Sequence, residues 1–377
     1  MGNVGEVRTE ETANGGTNAW SSSECAASKA DHLVVMVHGI LGRCLMLCLG
    51  LHFCSHWTEF HWIFRSTSDW KFGAEQFVKM LPDKVIVHCS ERNMNRLTLD
   101  GVDVMGERLA EEVIEVINRR PQIRKISFVA HSVGGLVARY AIGRLYRPRR
   151  KSQEEYEGCD SFDYKGSICG LEAVNFITVA TPHLGSRGNK QVPFLFGLTA
   201  MENFASRVIH WIFRRTGKHL FLTDNDEGKP PLLRRMLDDC GDLFFMSALQ
   251  AFKRRVLYAN VGHDHIVGWR TSSIRRNSEL PTWEDSPNIY PHVVHEELVK
   301  GENPENCTEN AVSNGDFDML EEELVTGLRR LSWERVDVSF HTSMQRFAAH
   351  SLIQVKDSFM HSEGADVIQH IIDHFLL

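Results

Sequence analysis

The stretch Lys125-Ile-Ser-Phe-Val-Ala-His-Ser132-Val-Gly-Gly-Leu-Val-Ala-Arg139 constrains this chain more than any other. Its apolar run, Ile126 to Ala130, halts at His131-Ser132. Gly134 and Gly135 then lead into Leu136, Val137, Tyr140, Ala141 and Leu145, spaced as on an amphipathic helix. The pattern predicts a strand, a sharp turn and a helix, with one hydroxyl at the apex. A serine nucleophile needs such a turn, which holds Oγ clear of the backbone while small neighbours let a substrate approach. A helix opening directly after Ser132 aims the Val133 amide at the place where an oxyanion would form. A serine that merely caps a βα junction has the same outline. Ala130 also stands where the strict G-x-S-x-G pattern has its first glycine, so the rest of the chain has to decide.

Upstream, residues 1–30 are rich in Gly, Ser, Thr, Asn and Glu and read as a disordered tail. His32-Leu-Val-Val-Met-Val-His38 is a continuous apolar run of the kind found in a buried parallel strand. It ends in His38-Gly-Ile-Leu-Gly42, where an unbulky Gly39 lets the next amide turn toward a reacting carbonyl. Ile40 is the first candidate for that second oxyanion donor and Leu41 the second. Residues 43–66 form an atypical insertion. Its apolar run is far shorter than the roughly 20 residues of a membrane span. Cys44, Cys48, His52, Cys54 and His56 match no standard zinc-ligand spacing. The segment reads either as an apolar flap beside the site or as a non-native insertion. A helix over 70–80, a strand over 84–88 and a helix over 105–118 follow.

Beyond the Ser132 unit, residues 173–180 read as another buried strand that leads into Thr181-Pro-His-Leu-Gly185. Residues 186–250 hold bulky apolar positions without a strand pattern and are expected to form a helical cap, with helices packed on the sheet as the alternative. Strand character returns at Arg255–Val261, with Asp264 just past its end. Residues 270–318 are polar and turn-rich and read as an irregular excursion. A last strand over 333–340 precedes His341, His350 and His361, and a helix over 364–375 closes the chain. Strands alternating with long crossovers imply an α/β fold around a mostly parallel sheet flanked by helices.

Composition removes several classes. At 377 residues, with 42% hydrophobic and 24% charged side chains, the chain has the make-up of a soluble globular protein. A net charge of -7 leaves no basic surplus for neutralising phosphates, so nucleic acid is not an expected partner. The basic run Arg147-Pro-Arg-Arg-Lys151 precedes Glu154, Glu155 and Glu157 and reads as a solvated loop, with transient contact to an anionic membrane surface as the alternative. Nine scattered cysteines without a leader pattern favour reduced thiols and a cytoplasmic setting.

Ser132, Asp264 and His350 run in the chain order Ser…Asp…His, each just beyond a predicted strand. Spacing alone leaves His341 and His361 open as the base. Five blocks in sequence carry a resemblance: His38-Gly-Ile-Leu-Gly42, Ala130-His-Ser-Val-Gly134, Thr181-Pro-His-Leu-Gly185, Asp264-His-Ile-Val-Gly268 and Ala349-His-Ser-Leu-Ile-Gln-Val-Lys356. Together they resemble the DUF676 serine esterase/lipase family in its plant form, over about residues 31–376. The resemblance implies an α/β-hydrolase domain over 31–377 that cleaves acyl esters, with lipids as the expected class of substrate. It implies Ser132 as nucleophile, Asp264 as acid and His350 as base, with no metal and no cofactor. The family's first turn is expected to pass within a few residues into Ser68-Asp-Trp-Lys-Phe-Gly73, whereas roughly two dozen residues intervene here. A retained intron or gene-model error would explain 43–66. If the segment is genuine, it could disrupt the oxyanion loop and leave a catalytically silent binding or scaffold protein, the alternative reading.

Overall fold

The computed structural model describes residues 8–11, 17–21, 29–40, 69–149, 166–186, 213–225, 228–280, 282, 289–302 and 316–377. The apolar runs become the strands of one sheet: β1 (Arg8–Glu11), β2 (Thr17–Ser21), β3 (His32–Val37), β4 (Val85–Cys89), β5 (Lys125–His131), β6 (Glu172–Val179), β7 (Arg254–Asn260), β8 (Val293–Val299) and β9 (Trp333–Val338). Their order across the sheet is β1-β2-β4-β3-β5-β6-β7-β9-β8. The six strands from β4 to β9 in that order pair in parallel, while β1, β2 and β8 run antiparallel at the two edges.

The central strands are apolar on both faces because helices cover both. Along β3 the side chains alternate: Leu33, Val35 and Val37 join one core, Val34 and Met36 the other. The first core takes in α2 (Val102–Asn118), α3 (Gly134–Leu145) and α5 (Phe245–Ala251). The second takes in α1 (Lys71–Met80) and α9 (Ala365–Asp373), through Ala74, Phe77 and Val78 on one helix and Val367, Ile368, Ile371 and Ile372 on the other. Further helices include α4 (213–220), α6 (Trp269–Ser273), α7 (Asp316–Leu328) and α8 (Ala349–Leu352), with a single helical turn at Leu232–Arg235. This is the α/β-hydrolase arrangement, a mostly parallel sheet between helical layers. No described helix is long and apolar enough to cross a membrane.

The sheet order fixes where a site can sit. From β3 the chain crosses outward to β4, then returns past β3 to place β5 on its other side. The carboxyl ends of β3 and β5 therefore adjoin at the point where the winding reverses, which is where open α/β sheets leave a crevice.

Two expectations are corrected. Residues 1–30 do not form a wholly disordered tail, because β1 and β2 make an antiparallel hairpin and β2 pairs with β4, Ala19 opposite His88. Edge pairing runs through backbone groups and needs no apolar pattern, so composition did not reveal it. Residues 270–318 are not irregular throughout either: they hold α6, β8 and the start of α7. β8 is an edge strand whose His295, Glu296 and Glu297 face partly or fully into solvent, and that polarity masks it in the sequence. Of the expected cap over 186–250, residues 187–212 lie outside the described residues. The described part packs on the α2 and α3 layer. Thr216 Oγ1 and His219 Nδ1 accept hydrogen bonds from the amides of Gly101 and Val102 at 3.0 Å each, and Phe245 lies against Gly143 of α3.

A buried carboxylate ties α2 to the end of β4. Glu112 accepts from Ser90 Oγ at 2.7 Å, from the Glu91 amide at 2.8 Å and from His88 Nε2 at 3.0 Å. Burial alone would raise its pKa, but the His88 contact and the donors from Glu91 and Ser90 outweigh it and hold the group below its ordinary 4.5. A carboxyl depressed on folding stabilises the fold fully above its unfolded value and loses that contribution as pH falls through the folded one. Glu112→Gln is therefore expected to cost about 1–3 kcal/mol at neutral pH and to flatten the acid limb of stability against pH. Denaturant titrations over a pH series check this, and acid limbs of equal slope would contradict it.

Candidate active site

At the end of β5 the chain turns through a residue that is rarely placed as this one is. Ser132 has φ of +56°, the left-handed region, which costs a non-glycine residue about 1–2 kcal/mol. The conformation is held from both sides. The Ser132 amide donates to Val179 O at 2.9 Å, and its carbonyl accepts from Thr181 Oγ1 at 2.8 Å and from the Gly135 amide at 3.1 Å. The turn lies hard against the end of β3. A Cβ on Gly39 would sit 2.6 Å from Ser132 Cβ, and one on Gly134 would sit 2.5 Å from His38 O. Trp70 fixes that strand end by donating from Nε1 to Val37 O at 3.1 Å. Ala130, in the first glycine position of the motif, is wholly buried in the core, so a methyl group fits there.

Two residues distant in sequence meet Ser132. His350, on the short helix α8 beyond β9, brings Nε2 to 3.0 Å from Ser132 Oγ and Nδ1 to 2.9 Å from Asp264 Oδ2. An ionised carboxylate can only accept, so Nδ1 carries the proton and Nε2 is left to accept from the serine hydroxyl. His341 and His361 engage elsewhere, with Ser339 Oγ at 2.9 Å and the Asp357 amide at 3.2 Å respectively. Asp264 lies on a turn after β7 that opens through left-handed His263, φ +59°. Its Oδ1 accepts from the amides of Ile266 (3.0 Å) and Val267 (2.9 Å), and Asn260 Nδ2 donates to Oδ2 at 2.9 Å. Burial opposes ionisation of this carboxyl. The adjoining His350, with the Val267 and Asn260 donors, overcomes that penalty and holds its pKa below the ordinary carboxylate value.

The candidate oxyanion donors sit opposite. Val133 caps the N-terminus of α3. Ile40, Gly39, Val133 and Gly134 border one small hollow together with Met105 and Val137. Leu41, the second candidate, lies outside the described residues, as do 43–66 with Cys44, Cys48, His52, Cys54 and His56.

His131 is a part of the site that sequence reasoning did not single out. Its buried ring donates from Nε2 to the His350 carbonyl at 2.8 Å and lies 4.5 Å from the His350 ring. Burial first, and the His350 charge second, keep His131 neutral, with its pKa well below the usual histidine value. The Ala-His-Ser motif contained the signal, but nothing in the sequence showed that His131 would meet the loop beyond β9.

The profile of the family described as "Putative serine esterase (DUF676)" matches residues 27–274. The chain belongs to this family. The matched span contains Ile40, Ser132 and Asp264 and ends before His350. Relatives of this chain include "Putative lipase ROG1" of Saccharomyces cerevisiae, 29% identical over 249 residues that make up 65% of this chain and 29% of the yeast protein. "Putative lipase C4A8.10" of Schizosaccharomyces pombe is 27% identical over 276 residues, 70% of this chain and 29% of that protein. The chain thus spans under a third of the length of these relatives. Among solved structures, the mature lipase BlEst2 of Bacillus licheniformis aligns at TM-score 0.32 and 17% identity, covering 61% of this chain and 66% of that one. The apo esterase 2 of Thermogutta terrifontis aligns at 0.33 and 12%, covering 71% and 76%.

The contact between Gly39 and Ser132 generates a prediction. Gly39→Ala has to push the Ser132 turn or the Ile40 amide aside. It is expected to slow hydrolysis of p-nitrophenyl acetate by about 10², the typical effect of losing one oxyanion donor. A wild-type rate in this variant would contradict the close approach.

Proposed function

We propose that this protein hydrolyses carboxylic esters, lipid acyl esters among them, by two-step acyl transfer through Ser132, His350 and Asp264. One observation carries the reading: the unbroken hydrogen-bonded series from Ser132 Oγ through His350 to the buried Asp264 carboxylate. In the first step Oγ attacks the ester carbonyl carbon while Nε2 of His350 takes the hydroxyl proton. The carbonyl oxygen becomes an oxyanion facing the amides of Val133 and Ile40. Collapse of the tetrahedral intermediate expels the alkoxide, which receives the proton from Nε2 and leaves as the alcohol. In the second step water gives its proton to Nε2 as it attacks the acyl-enzyme, and Ser132 regains its proton as the acid departs. Asp264 keeps Nδ1 protonated and stabilises the imidazolium formed in each step. The reading needs no metal or cofactor. Family membership supports the ester class, and the names of the yeast relatives favour lipids.

Ser132→Ala is expected to lower kcat/KM on p-nitrophenyl butyrate and laurate by about 10³ or more. His350→Ala should lose about as much, and the double variant little further, because members of one relay do not contribute additively. Ser132→Ala turning over at the wild-type rate on both chain lengths would overturn the assignment.

A further inference from the structure

The two large apolar side chains most open to water among the described residues flank the loop that carries His350. Met344 is 98% exposed and Phe359 92%, six residues before and nine after that histidine, with Phe347 at 66% between them. Phe347 and Phe359 are the two exposed phenylalanines among the described residues. This loop is joined to the one carrying Asp264. The Phe347 ring stacks on His265 at 5.8 Å and meets His263 edge-on at 5.6 Å, and Ile266, next in the chain, is itself exposed.

From 341 to 356 the charged side chains have one sign, with Asp357 and Glu363 lying beyond them on either side of Phe359. Residues 341–356 contain Arg346 and Lys356 and no Asp or Glu, in a chain whose net charge is -7. Lys356 is matched by Asp69 at 3.0 Å. Arg346 has its guanidinium 5.2 Å from the Phe347 ring and donates to the His341 carbonyl, with no carboxylate partner among the described residues. Asp357 Oδ1 accepts from the amides of Phe359 (3.0 Å) and Met360 (2.8 Å). That hydrogen bonding holds the turn which presents Phe359.

We propose that Met344, Phe347, Phe359 and Ile266, with Arg346, form a rim that docks on an anionic lipid surface. Apolar side chains on turns can enter the headgroup and acyl boundary, while an unmatched guanidinium gains from the negative surface potential. The rim lies on the two loops that bring His350 and Asp264 to Ser132, so a docked chain meets its ester where the bilayer presents it. In that respect the inference rests on the hydrolase reading and extends it to substrate held in a membrane. A chain that only met soluble esters would gain nothing from keeping Met344 and Phe359 in water.

Cosedimentation of the full chain with vesicles tests this, using Ser132→Ala so that the lipid is not consumed. Binding to phosphatidylcholine vesicles containing phosphatidylserine is expected, weaker with phosphatidylcholine alone and weaker as salt rises. Met344→Ser combined with Phe359→Ser should weaken it by about tenfold or more. Leu298→Ser, an exposed apolar change on β8 at the far end of the sheet, should leave it unchanged. The double change in an otherwise wild-type chain should leave hydrolysis of p-nitrophenyl acetate unaltered, which also shows that it folds. Absence of vesicle binding, or equal binding by the double variant, would overturn the proposal. Self-association lost in the double variant, without vesicle binding, would assign the rim to a second copy and overturn it equally. Vesicle binding by a chain that hydrolyses no soluble ester would leave the docking surface standing and reject the hydrolase reading.

Discussion

The close approach of β3 and β5 at their carboxyl ends governs the rest of the site. Two strand ends can meet this tightly only where side chains are absent, and Gly39 and Gly134 supply that absence on opposite sides of the contact. Ser132 is held in a left-handed conformation by the Val179 carbonyl of the next strand and the Thr181 hydroxyl of its loop. Its strain is therefore borne in part by the neighbouring strand and not by the turn alone. From this one contact follow the place of Oγ at the apex of the turn, the start of α3 immediately behind it, and the hollow bordered by Ile40 and Val133.

Electrostatics complete the arrangement around that contact. A buried carboxylate is costly unless donors surround it, and Asp264 has two amides, an asparagine and an imidazole within hydrogen-bond distance. His350 is fixed from two directions, its ring by Asp264 and its backbone carbonyl by His131. A charged His131 would place a second cation 4.5 Å from the His350 ring and oppose protonation of His350. Burial keeps His131 neutral. In the proposed reaction a neutral neighbour leaves His350 free to take and return a proton.

Much of the layout was legible in the sequence because burial on both faces of a parallel strand leaves an unbroken apolar run. Leu33 to Val37 is such a run, Ile126 to Ala130 is broken only by Ser127 and Ala173 to Val179 only by Asn175 and Thr178, and each lies within a strand of the central sheet. The edges were not legible. β8 carries Glu296 and Glu297, and β1 and β2 contain little that is apolar, because an edge strand is specified by backbone pairing and one partly wetted face. At the site, Ser132 was marked by its turn and Asp264 by its place after a strand. His350 was separable from His341 and His361 only through the family resemblance. Separations of 218 and 86 residues close to hydrogen-bond distance through tertiary structure, which no local pattern encodes.

The central claim is that these contacts make Ser132 a nucleophile. Reaction of the native chain with a fluorophosphonate, followed by peptide mass mapping, tests it most directly, because phosphonylation requires an activated hydroxyl, a base and oxyanion donors together. The account predicts a single adduct on Ser132, formed in the native chain and absent after denaturation or in His350→Ala. A native chain that stays unmodified, or one modified at another serine, would contradict it.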